Sequence, residues 1–345
     1  MKRLPVEDLE HIFKNTQDVW ESFKGKSIFL TGGTGFFGKW LLESFIYVNE
    51  KLALNAKITT LTRNPEAFLL EYPFYKEHTN TVQFVKGDIL TYGFNLDEKF
   101  QFIIHAATAA SESLNKSNPL LMMDTITIGT RRVLDFAITQ PIEGFLFVSS
   151  GAIYGKQPWN QTHINENDCF KIDINNSNSA YAEGKRIAEL YSSTYFEKYN
   201  LPIKIARCFA FVGPYLPLDS HFAIGNFINN AIKNEDIIIK GDGSTIRSYM
   251  YASDLMVWLW KILLKGEINQ PYNVGSDEGV SMKQLAEKIS SISNAKGAVK
   301  ILGSPVQKEH IDIYCPSINK AQLINAHLKV QINEYIEKTI KFYER

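Results

Sequence analysis

Between residues 25 and about 207 the chain alternates short apolar runs with longer stretches whose apolar positions recur at helical spacing. The runs Ser27–Leu30, Lys57–Leu61, Val82–Val85, Phe102–His105, Phe145–Ser149 and Ile203–Arg207 read as strands, with helical stretches between most of them. Strands separated by helices predict a parallel sheet covered on both faces, a doubly wound α/β fold. Ahead of it, Val6, Leu9, Ile12, Phe13 and Trp20 recur at roughly helical spacing. They predict an amphipathic helical arm over residues 1–24, packed on the protein's own surface or on a partner subunit. Beyond about 210 the pattern loosens, and Gly213-Pro214, Pro217, Gly241-Asp242-Gly243 and Gly275-Ser276 mark turns. The expected organisation is an arm over 1–24, a sheet domain over 25–210 and a smaller, mainly helical domain over 211–345. Part of the last, around 244–265, is expected to return to the sheet domain.

The chain is organised around Ile28 to Leu42, which reads as strand, glycine turn and helix. Gly32, Gly35 and Gly38 have the spacing GxxGxxG. In a dinucleotide site the first glycine permits the tight turn, the second lets backbone approach a pyrophosphate, and the third lets the helix pack closely on the sheet. The helix N-terminus then offers unpaired N–H groups and a positive dipole end. Glycines at a tight turn also occur for structural reasons alone. The preceding strand and the following Trp40, Leu41, Leu42, Phe45 and Ile46 supply the context that the cofactor reading requires.

Composition narrows the class. The 345 residues hold 37 Lys+Arg and 37 Asp+Glu, so no basic excess points to nucleic acid or to an anionic membrane. Hydrophobic content of 45% and charged content of 21% are ordinary for a soluble enzyme. Cys169, Cys208 and Cys315 are scattered and form no CxxC pair, which suggests neither a disulfide framework nor a metal site. No apolar run follows the N-terminal charges, and the apolar run near Leu255–Leu264 is broken by Lys261, far short of the ~20 residues of a membrane span. A cytoplasmic protein is expected.

Two further stretches carry chemistry. In Ser179-Ala180-Tyr181-Ala182-Glu183-Gly184-Lys185, Tyr181 and Lys185 lie four apart, on one face of a helix. A lysine cation beside a phenol favours phenolate and makes a usable acid/base of it. The same spacing also occurs in ordinary surface pairs. In Phe147-Val148-Ser149-Ser150-Gly151-Ala152 a strand ends at two serines. Ligands of open α/β sheets sit beyond the carboxyl ends of the strands, where Ser150 is placed to hydrogen-bond a substrate oxygen or merely to cap the strand.

Taken together, TGGTGFFG (Thr31–Gly38), GDI (Gly87–Ile89), HAAT (His105–Thr108), GT (Gly129–Thr130), SSGAIYG (Ser149–Gly155), YAEGK (Tyr181–Lys185), RCFAFVGP (Arg207–Pro214) and GDGSTIRSYMYASDL (Gly241–Leu255) resemble the extended short-chain dehydrogenase/reductase superfamily, in its NAD-dependent epimerase/dehydratase branch. The resemblance covers nearly all of the chain after residue 24. It implies a Rossmann domain that binds NAD or NADP, a C-terminal substrate-binding domain and a nucleotide-sugar substrate. It implies that Tyr181 is the acid/base, that Lys185 assists it and holds the nicotinamide ribose, and that Ser150 shares the substrate hydroxyl. Gly32, Gly35, Phe36, Phe37 and Gly38 would form the dinucleotide turn, Asp88 and Ile89 would lie by the adenine, and Ala106 and Ala107 would line the cofactor groove. Arg247 would bind the substrate diphosphate through fixed bidentate donors. His221 would face the substrate cleft, or is an ordinary loop histidine. A homodimer built from the helices around Leu120–Thr139 and Tyr181–Tyr199 is also implied, although burial of their apolar faces within one subunit is the alternative.

The departures are informative. NAD-selective members usually carry a carboxylate at the end of the second strand; here the strand ends Thr60-Leu61-Thr62-Arg63-Asn64, and Arg63 suits a 2′-phosphate or stacks on adenine. That leans the cofactor towards NADP. The related 4,6-dehydratases place Asp-Glu directly after the hydroxyl residue, and the decarboxylating branch has a glutamate at the second of these positions. Gly151 and Ala152 stand there in this chain and do no acid/base work. Ala210 and Ile126 replace asparagines of the family pattern. The expectation is an NAD(P)-dependent nucleotide-sugar epimerase with transient hydride transfer at carbon 4. An NADPH-dependent 4-keto-sugar reductase is the alternative, followed by a 4,6-dehydratase or a non-catalytic dinucleotide-binding protein.

Overall fold

The structure, a computed structural model, describes residues 2–108, 112–220, 222–304 and 311–344. The chain divides into two compact units. The first holds 1–153, 172–207 and 256–272; the second holds 154–171, 208–255 and 273–345.

The first unit is built on a seven-stranded sheet. Its strands are β1 (Ser27–Thr31), β2 (Lys57–Thr62), β3 (Val82–Lys86), β4 (Phe102–His105), β5 (Gly144–Ser150) and β6 (Ile203–Cys208), with Pro271–Val274 at one edge. The order across the sheet is Pro271–Val274, β6, β5, β4, β1, β2, β3. The pairings of β1 with β2 and β4, of β2 with β3 and of β4 with β5 are parallel. β4 and β5 are buried along their whole length, which is why they read as continuous apolar runs. The fold is the doubly wound Rossmann type, with the order reversing beside β1.

The helices of this unit are α1 (Val6–Asn15), α2 (Phe36–Leu52), α3 (Pro65–Glu71), α4 (Glu112–Ser117), α5 (Pro119–Ala137) and α6 (Ala180–Tyr199). Local chemistry sets their ends. Asn64 and Asn118 each accept from a backbone N–H of the first turn, and Pro65 and Pro119 occupy the first helical position, where no N–H is needed. Asn200 ends α6 in the left-handed conformation.

The arm packs on its own unit. Trp20 and Phe23 are fully buried. The Trp20 ring lies 4.9 Å from Trp260, and Phe23 meets Phe102 edge-on at 4.7 Å. Trp20 Nε1 donates to Thr16 Oγ1 at 2.7 Å, so the indole is buried with its polar atom satisfied. Leu4 N donates to the buried carboxylate of Glu43 on α2.

The second unit consists of short strands and helices. Gly279–Ser281, Ile246–Ser248 and Ile313–Tyr314 form a three-stranded sheet, and the helices Ala223–Ile232, Met282–Ser293 and Ile332–Glu344 belong to the same unit. No helix among the described residues is long and apolar enough to cross a membrane.

Candidate active site

The turn from β1 into α2 is closed on itself by its glycines. Gly32 has φ +79°, and a methyl group built on it would lie 2.7 Å from the Ala106 carbonyl carbon and oxygen. A methyl on Gly38 would lie 2.3 Å from Gly32 O. Gly35 differs: a methyl there would meet only Gly32 O, at 3.5 Å. The outer side of Gly35 is open, at the residue that precedes the first turn of α2. Phe36 and Phe37 begin the helix, half-buried, with their rings 5.6 Å apart. Thr34 Oγ1 stands 3.5 Å from Thr62 Oγ1, so the turn runs beside the end of β2. The next residue, Arg63, is exposed.

The loops after β3 and β4 form the neighbouring walls. Asp88 closes its own turn: its carboxylate accepts from Leu90 N at 2.9 Å, and its carbonyl accepts from Thr91 N and Tyr92 N. Arg132 on α5 donates to the carbonyls of Ile89 and Tyr92 and anchors that turn from behind. Ala106 N and Ala107 N donate to the carbonyl and the hydroxyl of Thr31. The same hydroxyl is 2.7 Å from His105 Nδ1, and His105 Nε2 is 2.9 Å from Thr130 Oγ1 on α5. His105 is fully buried and its pKa falls to about 3, because burial disfavours the imidazolium and the Lys185 cation opposes it. The neutral imidazole satisfies both hydroxyls and ties β1, the Ala106–Ala107 strand exit and α5 together.

β5 delivers Ser149 and Ser150 at its carboxyl end. Ser149 Oγ donates to Glu189 on α6 at 2.5 Å, and Arg207 on β6 grips the same carboxylate with contacts of 2.7–3.2 Å. Ser150 is 8% exposed, and its Oγ accepts from Ala152 N at 3.1 Å. Tyr181 stands in the first turn of α6, half-buried against the apolar cluster that includes Met122 and Ile126. Lys185, one turn on, is 2% exposed and donates to the Val148 carbonyl at 2.8 Å. Gly184 allows the approach of α5: a methyl there would reach Ile126 at 3.4 Å. Ile126, which departs from the family pattern, is buried at this helix contact.

Arg247 belongs to the second unit. Its guanidinium is paired with Asp312 Oδ2 at 2.9 Å, donates to the Ile246 carbonyl at 2.8 Å and lies 6.0 Å from the Tyr314 ring. His221 lies outside the described residues. His105 and Arg207 stand in the quoted motifs without a role of their own, and Arg132 and Glu189 were not singled out from the sequence. The signal for Glu189 was its place one turn beyond Lys185 on the buried side of α6; nothing local marked Arg132.

A family model described as the NAD-dependent epimerase/dehydratase family matches residues 28–275. The chain belongs to this family. UDP-glucuronic acid decarboxylase 1 of Danio rerio is 27% identical over 323 residues, which cover 93% of this chain and 73% of that protein. The structure of UDP-N-acetylglucosamine 4-epimerase from Methanobrevibacter ruminantium M1, in complex with UDP-N-acetylmuramic acid, superposes with a TM-score of 0.79 at 23% identity and covers 92% of this chain and 98% of that one. UDP-glucuronic acid 4-epimerase from Bacillus cereus, in complex with NAD, gives a TM-score of 0.77 at 19% identity with the same coverage. These likenesses place the fold among epimerase/dehydratases.

The residues of this family member fit a dinucleotide. Gly32 and Gly38 are filled by the protein's own backbone, whereas Gly35 leaves a cradle that a side chain would occupy. The cradle opens at the start of a 17-residue helix, a position suited to phosphate. The end of β2 and the Asp88 turn stand together, because Gly87 N donates to Thr62 O at 2.9 Å.

Proposed function

We propose that the protein is an NAD(P)-dependent nucleotide-sugar epimerase acting at sugar carbon 4. One observation carries the choice within the family. β5 presents a hydroxyl at Ser150, and the turn that follows, Gly151–Tyr154, opens with glycine and alanine. A site that keeps the hydroxyl, Tyr181 and Lys185 but has no carboxylate at 151 and 152 suits reversible oxidation of a sugar hydroxyl. It does not suit elimination of water or assisted loss of CO2.

In this reading Tyr181 takes the proton of the carbon 4 hydroxyl while Ser150 hydrogen-bonds the same oxygen. Lys185, fixed to the Val148 carbonyl, supplies the positive charge that favours phenolate. A bound nicotinamide supplies the hydride exchange at carbon 4. The keto sugar would then turn over, the hydride would return to the opposite face of carbon 4, and Tyr181 would return the proton to the oxygen. Arg247 binds the diphosphate, sharing its guanidinium with Asp312 or exchanging that partner for phosphate oxygens.

Arg63 favours a second reading. It is exposed, and no acid pairs with it among the described residues, so it suits a 2′-phosphate and an NADPH-dependent 4-keto reductase. Mass analysis of small molecules released on denaturation separates the two. Stoichiometric NAD+ or NADP+ supports the epimerase. An empty protein that takes up NADPH far more tightly than NADH supports the reductase. Tyr181→Phe tests catalysis itself: turnover should fall by roughly 10²–10⁴-fold with dinucleotide binding kept. An unchanged rate would leave a binding protein.

We further propose a homodimer formed by α5 and α6. Leu120, Ile128 and Leu190 lie exposed on these helices, at 73%, 47% and 66%.

A further inference from the structure

The second unit contains a cavity of about 230 Å³ that the proposed chemistry does not use. Its walls come from Tyr249, the segment Ser276–Val280, the helix Met282–Ser293 and the start of the helix Ile332–Glu344. None of Ser150, Tyr181, Lys185 or Arg247 lines it. The volume exceeds the ~150 Å³ that suffices for a benzene-sized guest.

Two tyrosines line this cavity. Tyr249 and Tyr335 are 6% and 4% exposed, yet neither hydroxyl has a protein partner among the described residues. Burial raises both phenols well above the ordinary tyrosine range, so both remain neutral donor–acceptors. Tyr75 is a contrasting case: its unpartnered hydroxyl is sealed from solvent, whereas those of Tyr249 and Tyr335 are not. Both tyrosines line the cavity, so the cavity is where an accessible, unpartnered hydroxyl of either can meet a ligand. Water reaches these two hydroxyls, and a ligand that supplies matching hydrogen bonds can replace it.

The rim completes the chemistry. Among the described residues, exposed Glu278 has no pairing cation, Lys288 Nζ has only a 3.4 Å contact to Asn333, and the Gln284 carbonyl is occupied by Ser281 N, which leaves its amide N–H2 without a partner. The mouth therefore carries one charge of each sign and amide donors, above a floor of uncharged hydroxyls. That balance selects neither an anion nor a cation.

We propose that this cavity binds a neutral, hydroxyl-rich ring of monosaccharide size. Phenol hydroxyls meet sugar hydroxyls as both donor and acceptor, and Val280, Val330 and Ile332 on the wall give the C–H side of the ring apolar contact. None of the side chains assigned to the nucleotide-sugar chemistry lines this cavity, so the proposal stands whether or not that reading holds.

Ligand-observed NMR on the full chain, with D-glucose and N-acetyl-D-glucosamine as probes, tests the proposal. Binding should appear in the wild type and in Tyr181→Phe. It should weaken by about tenfold or more in Tyr249→Phe/Tyr335→Phe, which removes two hydrogen bonds and keeps the packing. Glu278→Trp, at an exposed position, should close the mouth and abolish binding even if the double variant folds poorly. Absence of binding in the wild type would show a water-filled void and overturn the proposal. Equal binding in Glu278→Trp, or loss of binding in Tyr181→Phe, would move the sugar elsewhere and overturn it as well.

Discussion

The Lys185 ammonium donates to the Val148 carbonyl across 2.8 Å, two residues before Ser150. The contact lets the end of β5 and the first turns of α6 be placed by one buried hydrogen bond. It also holds the cation 5.0 Å from the Phe147 ring centre. Lys185→Met keeps the stem and deletes the charge. It leaves the Val148 carbonyl without this donor, so stability should fall by about 1–3 kcal/mol. Turnover should fall by roughly 10²-fold or more, because Tyr181 loses the neighbouring positive charge. Denaturant melts and steady-state rates check the two effects separately. A variant as active as the wild type would remove Lys185 from the proposed chemistry.

The parts of this arrangement differ in how legible they are in the sequence. Each of β1 to β6 lies within a residue or two of its expected bounds; β4 and β5 are readable because burial on both faces turns them into apolar runs, whereas half-buried β3 keeps apolar Val82, Phe84 and Val85 beside polar Gln83 and Lys86. The edge strand Pro271–Val274 is not readable, since Pro-Tyr-Asn-Val carries too little apolar pattern in four residues. Helical spacing announces the arm, but its docking depends on Trp260, 240 positions from Trp20 and on another face of the pattern. Ser150, Tyr181 and Lys185 stand out because each sits in a recognisable local stretch. Arg132 and Glu189 do not. Their work is tertiary: Arg132 reaches 43 residues back to Ile89, and Glu189 receives Ser149 from 40 residues away.

Arg63 follows the end of β2 and is exposed, while Thr34 and Thr62 bring the glycine turn alongside. If it meets a 2′-phosphate, Arg63→Ala should weaken NADPH binding by roughly tenfold or more and leave NADH within about twofold. Titration of both reduced cofactors by fluorescence reads this directly. Equal losses for the two cofactors would mean that Arg63 contacts the adenosine they share, and the lean towards NADP would fail.

α5 and α6 meet each other closely through Gly184 and Ile126, yet Leu120 and Leu190 remain outside that contact. Exposed leucines on two neighbouring helices suit a second copy of the chain. Light scattering should give twice the 39.3 kDa chain mass. Leu120→Glu/Leu190→Glu should return the protein to a single chain, because burying two carboxylates against a symmetric partner is strongly unfavourable. A wild type that is monomeric at micromolar concentration would assign those leucines to the ordinary exposed surface.

His105 gives the fold a definable acid sensitivity. In the folded protein its pKa is about 3, depressed chiefly by burial and also by the Lys185 charge. In the unfolded chain it returns to about 6.5. Between those values the unfolded state binds a proton that the native state does not, so native stability must fall as pH falls through that window. The slope from this residue is about 1.4 kcal/mol per pH unit, and it vanishes above pH ~6.5. His105→Gln loses part of the Thr31–His105–Thr130 chain and should start less stable at pH 8. It should nevertheless lose stability less steeply on acidification, because it has no imidazole to protonate on unfolding. Urea melts of both proteins at pH 8, 6, 5 and 4 decide the matter. The gap between them should narrow towards low pH; curves that run parallel would show that His105 takes up its proton in the folded state.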